Sequence, residues 1–391
     1  MRRELPLVRV FLTICLFLPA MLHAQLRIGA EQTAIYYPLL KGKRIGVVAN
    51  QASVVGTRKS NIVDILVKQG FQVVRIFSPE HGFRLAGEAG QKIENNIDSA
   101  TGIRVVSLYG VEKKPSSSDL GSIDVILFDL QDVGVRFYTY ISTLSYLMEA
   151  CAVHKVPLIL LDRPNPNGFY IDGPVLEKQF ASFVGLHPVP VVYGMTIGEY
   201  ARMVNGEGWL ENRTQCNLRV IPLENYSHDD RCELPAKPSP NLPNLEAILL
   251  YPSLCFFEGT RISVGRGTSF PFQVYGDPES GGGAFSFTPE SIPGVSLHPP
   301  HEGKTCRGED LRTYYLQNPL ETGRINLKWL INAYRDCKNK PAFFTDYFNK
   351  LAGNASLENQ IIEGKTETEI RESWKSGITR FRKIREKYLL Y

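Results

Sequence analysis

The sequence lacks the short motifs that identify several common enzyme classes. No GxGxxG follows the first predicted strand, and no GxxxxGK[ST] occurs, so neither a dinucleotide site nor a nucleoside triphosphate site is predicted. A GxSxG elbow and an HExxH helix are also absent, which argues against an α/β serine hydrolase and a zinc protease. The seven cysteines include no CxxC pair. We therefore expect a protein that uses no metal and no cofactor.

Long apolar runs are absent except at the N-terminus. Three arginines among the first nine residues precede the apolar run Val10–Leu22, and the small residue Ala24 follows it. This run is too short to span a bilayer comfortably, so residues 1–24 are predicted to be a secretory signal peptide, with an uncleaved anchor as the alternative. The expected location is periplasmic or secreted, without stable membrane insertion after cleavage.

A strong charge of one sign is absent too. The net charge of +4 falls to +2 without residues 1–24, because they contain three Arg and one Glu. Such a near balance argues against nucleic-acid binding, and any selectivity for an anion must come from a local cluster of basic residues. Six cysteines remain, scattered along the chain, and we expect mostly buried free thiols.

The N-terminal half alternates predicted strands and helices. Short apolar runs typical of strands buried on both faces occur at Arg44–Ala49, Phe71–Phe77, Val105–Leu108, Ile123–Leu127 and Pro157–Leu161. Helical stretches such as Asn61–Gln69 and Ile141–His154 lie between them. This rhythm predicts an α/β fold with a Rossmann-like, doubly wound, mostly parallel sheet.

A proline-rich stretch divides the chain. From Leu234 to Pro252 the sequence reads LPAKPSPNLPNLEAILLYP, which indicates a domain junction. We predict a Rossmann-like domain over residues 25–238 and a smaller α+β domain over residues 239–391 that closes a cleft.

Polar residues follow four of the predicted strands. They lie in the segments Asn50–Gln51, Ser78–Gly82, Asp129–Tyr138 and Asp162–Pro166. Ligands of open parallel sheets bind beyond the carboxyl ends of the strands, so this rim is the predicted active site.

Six motifs resemble a single family. They are SPEHGFR, LFDLQDVGVRFYTY, LDRPNPNG, GMTIGEYA, PSPNLP and FEGTRISVGRGTSFPF, and the closing IREKYLLY is similar as well. Together these segments resemble the NamZ-type exo-β-N-acetylmuramidases, formerly a domain of unknown function. The resemblance implies a Rossmann-like domain, a smaller C-terminal domain, and an enzyme that releases N-acetylmuramic acid from the non-reducing end of peptidoglycan fragments. Tyr193 departs from the pattern, because the family is expected to have His there.

Glycoside cleavage usually needs two carboxyl groups, one to protonate the leaving oxygen and one to act as nucleophile or activate water. Glu80 is the first candidate and is expected to be the general acid, with a structural cap as its alternative. Glu258 and Asp132 are the candidates for the second carboxyl, with Asp129 as a rival. Glu258 could instead pair with Arg266 or Arg261, and the two aspartates could merely hold their loop.

We expect arginine to bind the lactyl carboxylate of N-acetylmuramic acid, because its planar guanidinium group binds carboxylates through two parallel hydrogen bonds. The further substrate-binding candidates include these arginines, aromatic residues that could stack on a sugar, and side-chain amides. The full set is His81, Asn50, Gln51, Asp129, Arg136, Tyr138, Tyr140, Arg163, Asn165 and Arg266, with Asn241 as a further hydroxyl or acetamido partner. Each arginine could equally be structural.

Two other functions stay open from the sequence. A periplasmic muropeptide-binding protein would use the same cleft without turnover, although two aimed acids would be superfluous there. An esterase or amidase would need a nucleophile such as Ser78 or Ser263, and neither stands in a recognisable elbow. In each case the expected partners are saccharides derived from peptidoglycan.

Overall fold

The computed structural model describes residues 25–84, 95–279 and 283–391. The predicted signal peptide, residues 1–24, lies outside these ranges. Within them, no helix combines the length and the apolar character that a bilayer crossing requires.

A seven-stranded sheet forms the centre of the N-terminal half. In chain order the strands are β1 (Arg44–Val48), β2 (Val54–Val55), β3 (Ser60–Asn61), β4 (Gln72–Ser78), β5 (Asn96–Ile97), β6 (Arg104–Ser107), β7 (Val125–Phe128), β8 (Leu158–Leu161) and β9 (Leu218–Ile221). The sheet order is β5-β6-β4-β1-β7-β8-β9, and β2 and β3 form a separate two-stranded pair. All neighbours in the large sheet run parallel except β5 and β6. Leaving aside β5, this is the doubly wound Rossmann order, which confirms the predicted fold class.

Helices cover both faces of this sheet. They are α1 (Thr33–Leu40), α2 (Ile62–Lys68), α3 (Ser117–Leu120), α4 (Tyr140–His154) and α5 (Ile197–Gly206). Successive residues of a strand face opposite sides, so Val47 packs into one hydrophobic core and Val48 into the other. Burial on both faces explains why the strands read as continuous apolar runs.

The C-terminal part combines a small sheet with helices. Strands β10 (Val274–Asp277), β11 (Phe285–Phe287) and β12 (Cys306–Asp310) form an antiparallel sheet in the order β10-β12-β11. The helices are α6 (Leu245–Leu254), α7 (Tyr314–Gln317), α8 (Lys328–Asp336), α9 (Phe348–Ala352), α10 (Ser356–Ile362) and α11 (Glu367–Arg385). One hydrophobic core joins the two parts, since Leu144, Leu250 and Phe348 belong to the same cluster.

The proline-rich stretch is only partly a connector. Its second half forms α6, which is buried, because the apolar run from Leu245 onward packs into the shared core. The Asn244 side chain accepts the Ala247 N–H at 2.9 Å and begins this helix. The predicted boundary at residues 238 and 239 stays a prediction.

The closing segment packs back against the sheet. The Tyr391 hydroxyl donates to the Asp162 carboxylate at 2.8 Å, just after β8, and accepts the Leu223 N–H at 2.7 Å. The described cysteines are free thiols, five of them buried.

Candidate active site

A cleft of about 640 Å³ lies between the N-terminal and C-terminal parts. Both parts supply side chains that carry chemistry. The N-terminal part contributes Glu80, Tyr109, Lys113, Thr139 and Phe183, and the C-terminal part contributes Tyr251, Glu258, Arg266, His298, Tyr347 and Lys350. Two of the three predicted catalytic carboxylates, Glu80 and Glu258, therefore line the same cleft.

Glu80 follows β4 in a tight turn. The Gly82 N–H donates to the Pro79 carbonyl at 3.1 Å, and His81 has a φ of +74° at the third turn position, where glycine is usual. This turn holds the half-buried Glu80 side chain at the cleft. Its carboxylate accepts the Thr139 hydroxyl at 2.8 Å, and Tyr109 lines the cleft near it. Burial, together with the nearby Glu80 charge, raises the pKa of Tyr109, so this phenol remains a proton donor.

Glu258 lies on the other wall, in the short 3-10 helix Cys255–Gly259. It accepts the Arg266 Nε–H at 2.5 Å and the Cys255 thiol at 3.6 Å. Burial alone would lower the pKa of Arg266, but the Glu258 carboxylate more than offsets this and raises it. The predicted pairing of Glu258 with Arg266 is thus present, and Glu258 still faces the cleft.

A smaller pocket of about 50 Å³ adjoins the cleft at Glu80. The predicted ligand His81 lines it, and the His81 Nε2 lies 3.2 Å from the Ser239 hydroxyl. The predicted Tyr138 also lines this pocket, and its hydroxyl donates to the Pro238 carbonyl at 2.7 Å. The PSPNLP segment therefore forms part of the wall, because its backbone is hydrogen-bonded to the strand-end loop.

Asp129 and Arg163 occupy a different position from the one expected. The Arg163 guanidinium donates to both Asp129 oxygens, at 2.5 and 2.8 Å, and both side chains are almost fully buried. Asp129 directly follows β7, beside the point where the strand order reverses, and Arg163 stands two residues after β8. Because the two side chains are buried and paired with each other, neither faces the cleft as a substrate ligand.

Arg136 is likewise structural. Its buried guanidinium donates four hydrogen bonds of 2.8 to 2.9 Å to the carbonyl groups of Pro174, Val189, Leu351 and Ala352. The last two carbonyls end helix α9 and would otherwise lack partners within it. Burial lowers the pKa of Arg136 to about 9, which leaves it cationic at neutral pH. The expected role in binding the lactyl anion does not fit this geometry.

Asp132 is buried behind the rim and does not line the cleft. Its carboxylate accepts the Tyr193 hydroxyl and the Gly134 N–H, the latter at 2.8 Å. Burial raises the pKa of Asp132 to about 6, although both hydrogen bonds act in the opposite direction. Tyr193, which replaces the expected His, is thus the hydrogen-bond partner of this aspartate.

The predicted amide ligands and Tyr140 also hold the rim together. Asn50 donates to the Tyr140 hydroxyl at 2.7 Å, and both side chains are buried. Asn165 donates to the Met195 carbonyl at 2.8 Å and packs on Gly134, where a Cβ would clash with its amide. None of these three, nor Gln51, lines the cleft or the small pocket.

Several cleft residues were not predicted from the sequence. Tyr109 and Lys113 lie on the loop after β6, while Tyr347 and Lys350 lie at the start of α9 and within it. The strand-end rule could have indicated Tyr109, since it stands two residues after β6. The α9 residues carry no motif, and only the tertiary fold brings them to the acids.

The alternative nucleophiles are not placed for catalysis. Ser78 and Ser263 are both fully buried, and neither lines the cleft. In the described part of the chain, no group of three or more His, Cys, Asp or Glu side chains is arranged to hold a metal ion.

Comparisons with known proteins agree with this architecture. The family model of the N-terminal part of the exo-β-N-acetylmuramidase NamZ matches residues 45–246, and that of its C-terminal part matches residues 249–391. A peptidoglycan β-N-acetylmuramidase NamZ from Bacillus subtilis strain 168 is 38% identical over 373 residues, which cover 91% of this chain and 89% of that protein.

Two crystal structures of DUF1343 family proteins from Bacteroides fragilis NCTC 9343 are also similar. One has a TM-score of 0.86 and 46% identity, and the other has a TM-score of 0.75 and 25% identity. Each alignment covers 94% of this chain and 99% of the other chain. With both family models matched and this similarity along nearly its whole length, the chain belongs to the NamZ-type exo-β-N-acetylmuramidase family.

Proposed function

We propose that the chain is an exo-acting glycosidase that releases N-acetylmuramic acid from the non-reducing end of peptidoglycan fragments such as MurNAc-GlcNAc. The observation that carries the proposal is the placement of Glu80 and Glu258 on the two walls of one cleft. The B. subtilis relative, a peptidoglycan β-N-acetylmuramidase, supports the choice of substrate.

The surroundings of the two acids suggest how they divide the reaction. Glu80 is half-buried and lines the cleft on the wall opposite Glu258, and we assign it the role of the general acid that protonates the leaving oxygen. The charge of Glu258 is matched by Arg266, so Glu258 suits the ionised carboxylate that acts as nucleophile or activates water.

We further propose that residues 1–24 are a signal peptide and that the enzyme acts in the periplasm or outside the cell. The arginines before the short apolar run and the small residue after it support this assignment. Peptidoglycan fragments occur in the same compartments.

Glu80→Gln tests the assignment of the acid. Glutamine keeps an oxygen that can accept from Thr139, but it has no proton to deliver, so kcat on MurNAc-GlcNAc should fall about 10²- to 10⁴-fold. A MurNAc glycoside of an acidic phenol needs little protonation of its leaving group and should lose much less activity. Glu246→Gln, at an exposed position outside the cleft, serves as the matched control.

Two outcomes would contradict these assignments. Equal losses of Glu80→Gln on both substrates would remove Glu80 as the general acid. If the wild type binds MurNAc-GlcNAc tightly but releases no N-acetylmuramic acid, the chain is a muropeptide-binding protein.

A further inference from the structure

The small pocket beside Glu80 is lined by two residues that each have a buried polar atom without a partner. Asn241 is 1% exposed, and its Nδ2 donates to the Val295 carbonyl at 3.0 Å. Its Oδ1 has no hydrogen-bond partner in the described ranges. Arg266 uses Nε to bind Glu258, while its buried Nη1 also lacks a partner among those residues.

These two atoms have opposite hydrogen-bonding character. Asn241 Oδ1 can only accept a hydrogen bond, and Arg266 Nη1 can only donate one. Buried polar atoms are normally paired, so an unpaired acceptor and an unpaired donor on two side chains that line one pocket point to a ligand that supplies both partners. A secondary amide does so, because it has one N–H and one carbonyl oxygen.

The size and the walls of the pocket match a small amide. Its volume of about 50 Å³ has room for roughly four groups the size of a water molecule. An acetamido group has four non-hydrogen atoms. The apolar side chains of Phe137, Leu242, Tyr251 and Phe272 line the same pocket, and they would surround a methyl group.

We propose that this pocket binds the 2-acetamido group of the terminal sugar, an inference that rests on the proposed function. Asn241 Oδ1 accepts the acetamido N–H, and Arg266 Nη1 donates to its carbonyl oxygen. Because C2 of the sugar is bonded to C1, this placement brings C1, which carries the glycosidic bond to be cleaved, next to Glu80, which lines the same pocket. Asn241 is then a specificity-determining residue for N-acetylated sugars.

Asn241→Leu tests the proposal, since leucine has a similar size and no acceptor. The assay compares kcat/KM on MurNAc-GlcNAc with kcat/KM on the same disaccharide carrying a free 2-amino group at the terminal sugar. The wild type should strongly prefer the N-acetylated substrate, and Asn241→Leu should reduce this preference roughly ten-fold.

Asn167→Leu is the matched control. Asn167 is also buried, donates to two backbone carbonyls and has an unpartnered Oδ1 within the described chain, but it does not line the pocket. It should leave the preference between the two substrates unchanged. An unchanged preference in Asn241→Leu, or an equal change in both variants, would overturn the proposal.

A second variant changes the size of the pocket instead of its polarity. Leu242→Ala should raise kcat/KM on an N-propionyl substrate relative to the N-acetyl substrate. If this ratio does not change, the result contradicts the proposed acetamido pocket. If the wild type releases no N-acetylmuramic acid from MurNAc-GlcNAc, the proposed function fails. If it does so while the variants show neither shift, only the acetamido pocket fails.

Discussion

Asp132→Asn removes a buried ionisable group from behind the rim without changing its shape. The asparagine oxygen can still accept from Tyr193 and from the Gly134 N–H, but the side chain no longer titrates. Burial raises the pKa of Asp132 from 3.8 to about 6 in the folded protein. Between about pH 4 and pH 6 the folded protein therefore keeps a proton that the unfolded chain has released.

Unfolding then releases a proton in this range, so the free energy of unfolding falls as the pH rises. A shift of about two pKa units corresponds to about 3 kcal/mol, because one unit is worth about 1.4 kcal/mol. This stabilisation is fully present below pH 4 and is lost by about pH 7. Asp162, whose pKa burial raises to about 7, contributes to both proteins and cancels in their difference.

Urea unfolding followed by tryptophan fluorescence at pH 4, 5, 6 and 7 measures the effect. Relative to Asp132→Asn, the wild type should lose about 2.4 kcal/mol of unfolding free energy between pH 4 and pH 7, because part of the unfolded Asp132 is still protonated at pH 4. Tyr193→Phe removes a hydrogen bond that lowers the pKa of Asp132, so this pKa should rise further in the variant. The free energy of unfolding of Tyr193→Phe should therefore continue to fall up to a higher pH than that of the wild type. Parallel pH dependences for the wild type and Asp132→Asn would refute the reasoning.

Two further predictions concern cations. Arg136→Met leaves four buried carbonyls without their donor and should lower the free energy of unfolding by about 3 kcal/mol or more. A loss below about 1 kcal/mol, measured by urea unfolding, would contradict the structural role of Arg136. Lys113 lines the cleft, with its Nζ 5.1 Å from the Phe183 ring centroid, and we expect it to bind the lactyl carboxylate. Lys113→Met should then lower kcat/KM about ten-fold on MurNAc-terminated substrate. It should not do so on GlcNAc-terminated substrate, which carries no lactyl carboxylate. Lys350→Met is the matched control, and equal effects of the two lysine changes would reject Lys113 as the anion ligand.

The sheet could be predicted because its physical cause is local. Strands buried on both faces need continuous apolar residues, and the observed bounds of β1 and β8 lie within one residue of the predicted runs. The family resemblance gave the activity in advance. The buried half of the proline-rich stretch was not foreseen, because α6 is buried only through packing against distant segments.

The site was predictable as a region but less so residue by residue. Glu80 and Glu258 line the cleft, but most other polar residues of the rim bond to each other. Asp129 is paired with Arg163, which lies 34 positions later in the chain, so the residues next to Asp129 do not show that its carboxylate is already bound. The sequence shows which groups reach the strand ends, and only the tertiary fold determines which of them are already paired.

The four-carbonyl site of Arg136 also bears on how substrate enters. Two of its acceptors, Leu351 and Ala352, belong to α9 of one wall, and the other two, Pro174 and Val189, belong to the N-terminal part. Swinging the two halves apart would leave a guanidinium cation in apolar surroundings with half of its acceptors lost, which is unfavourable. Sugar exchange should therefore proceed through the existing mouth of the cleft, and the distance between its walls should be nearly the same in the empty and the occupied enzyme.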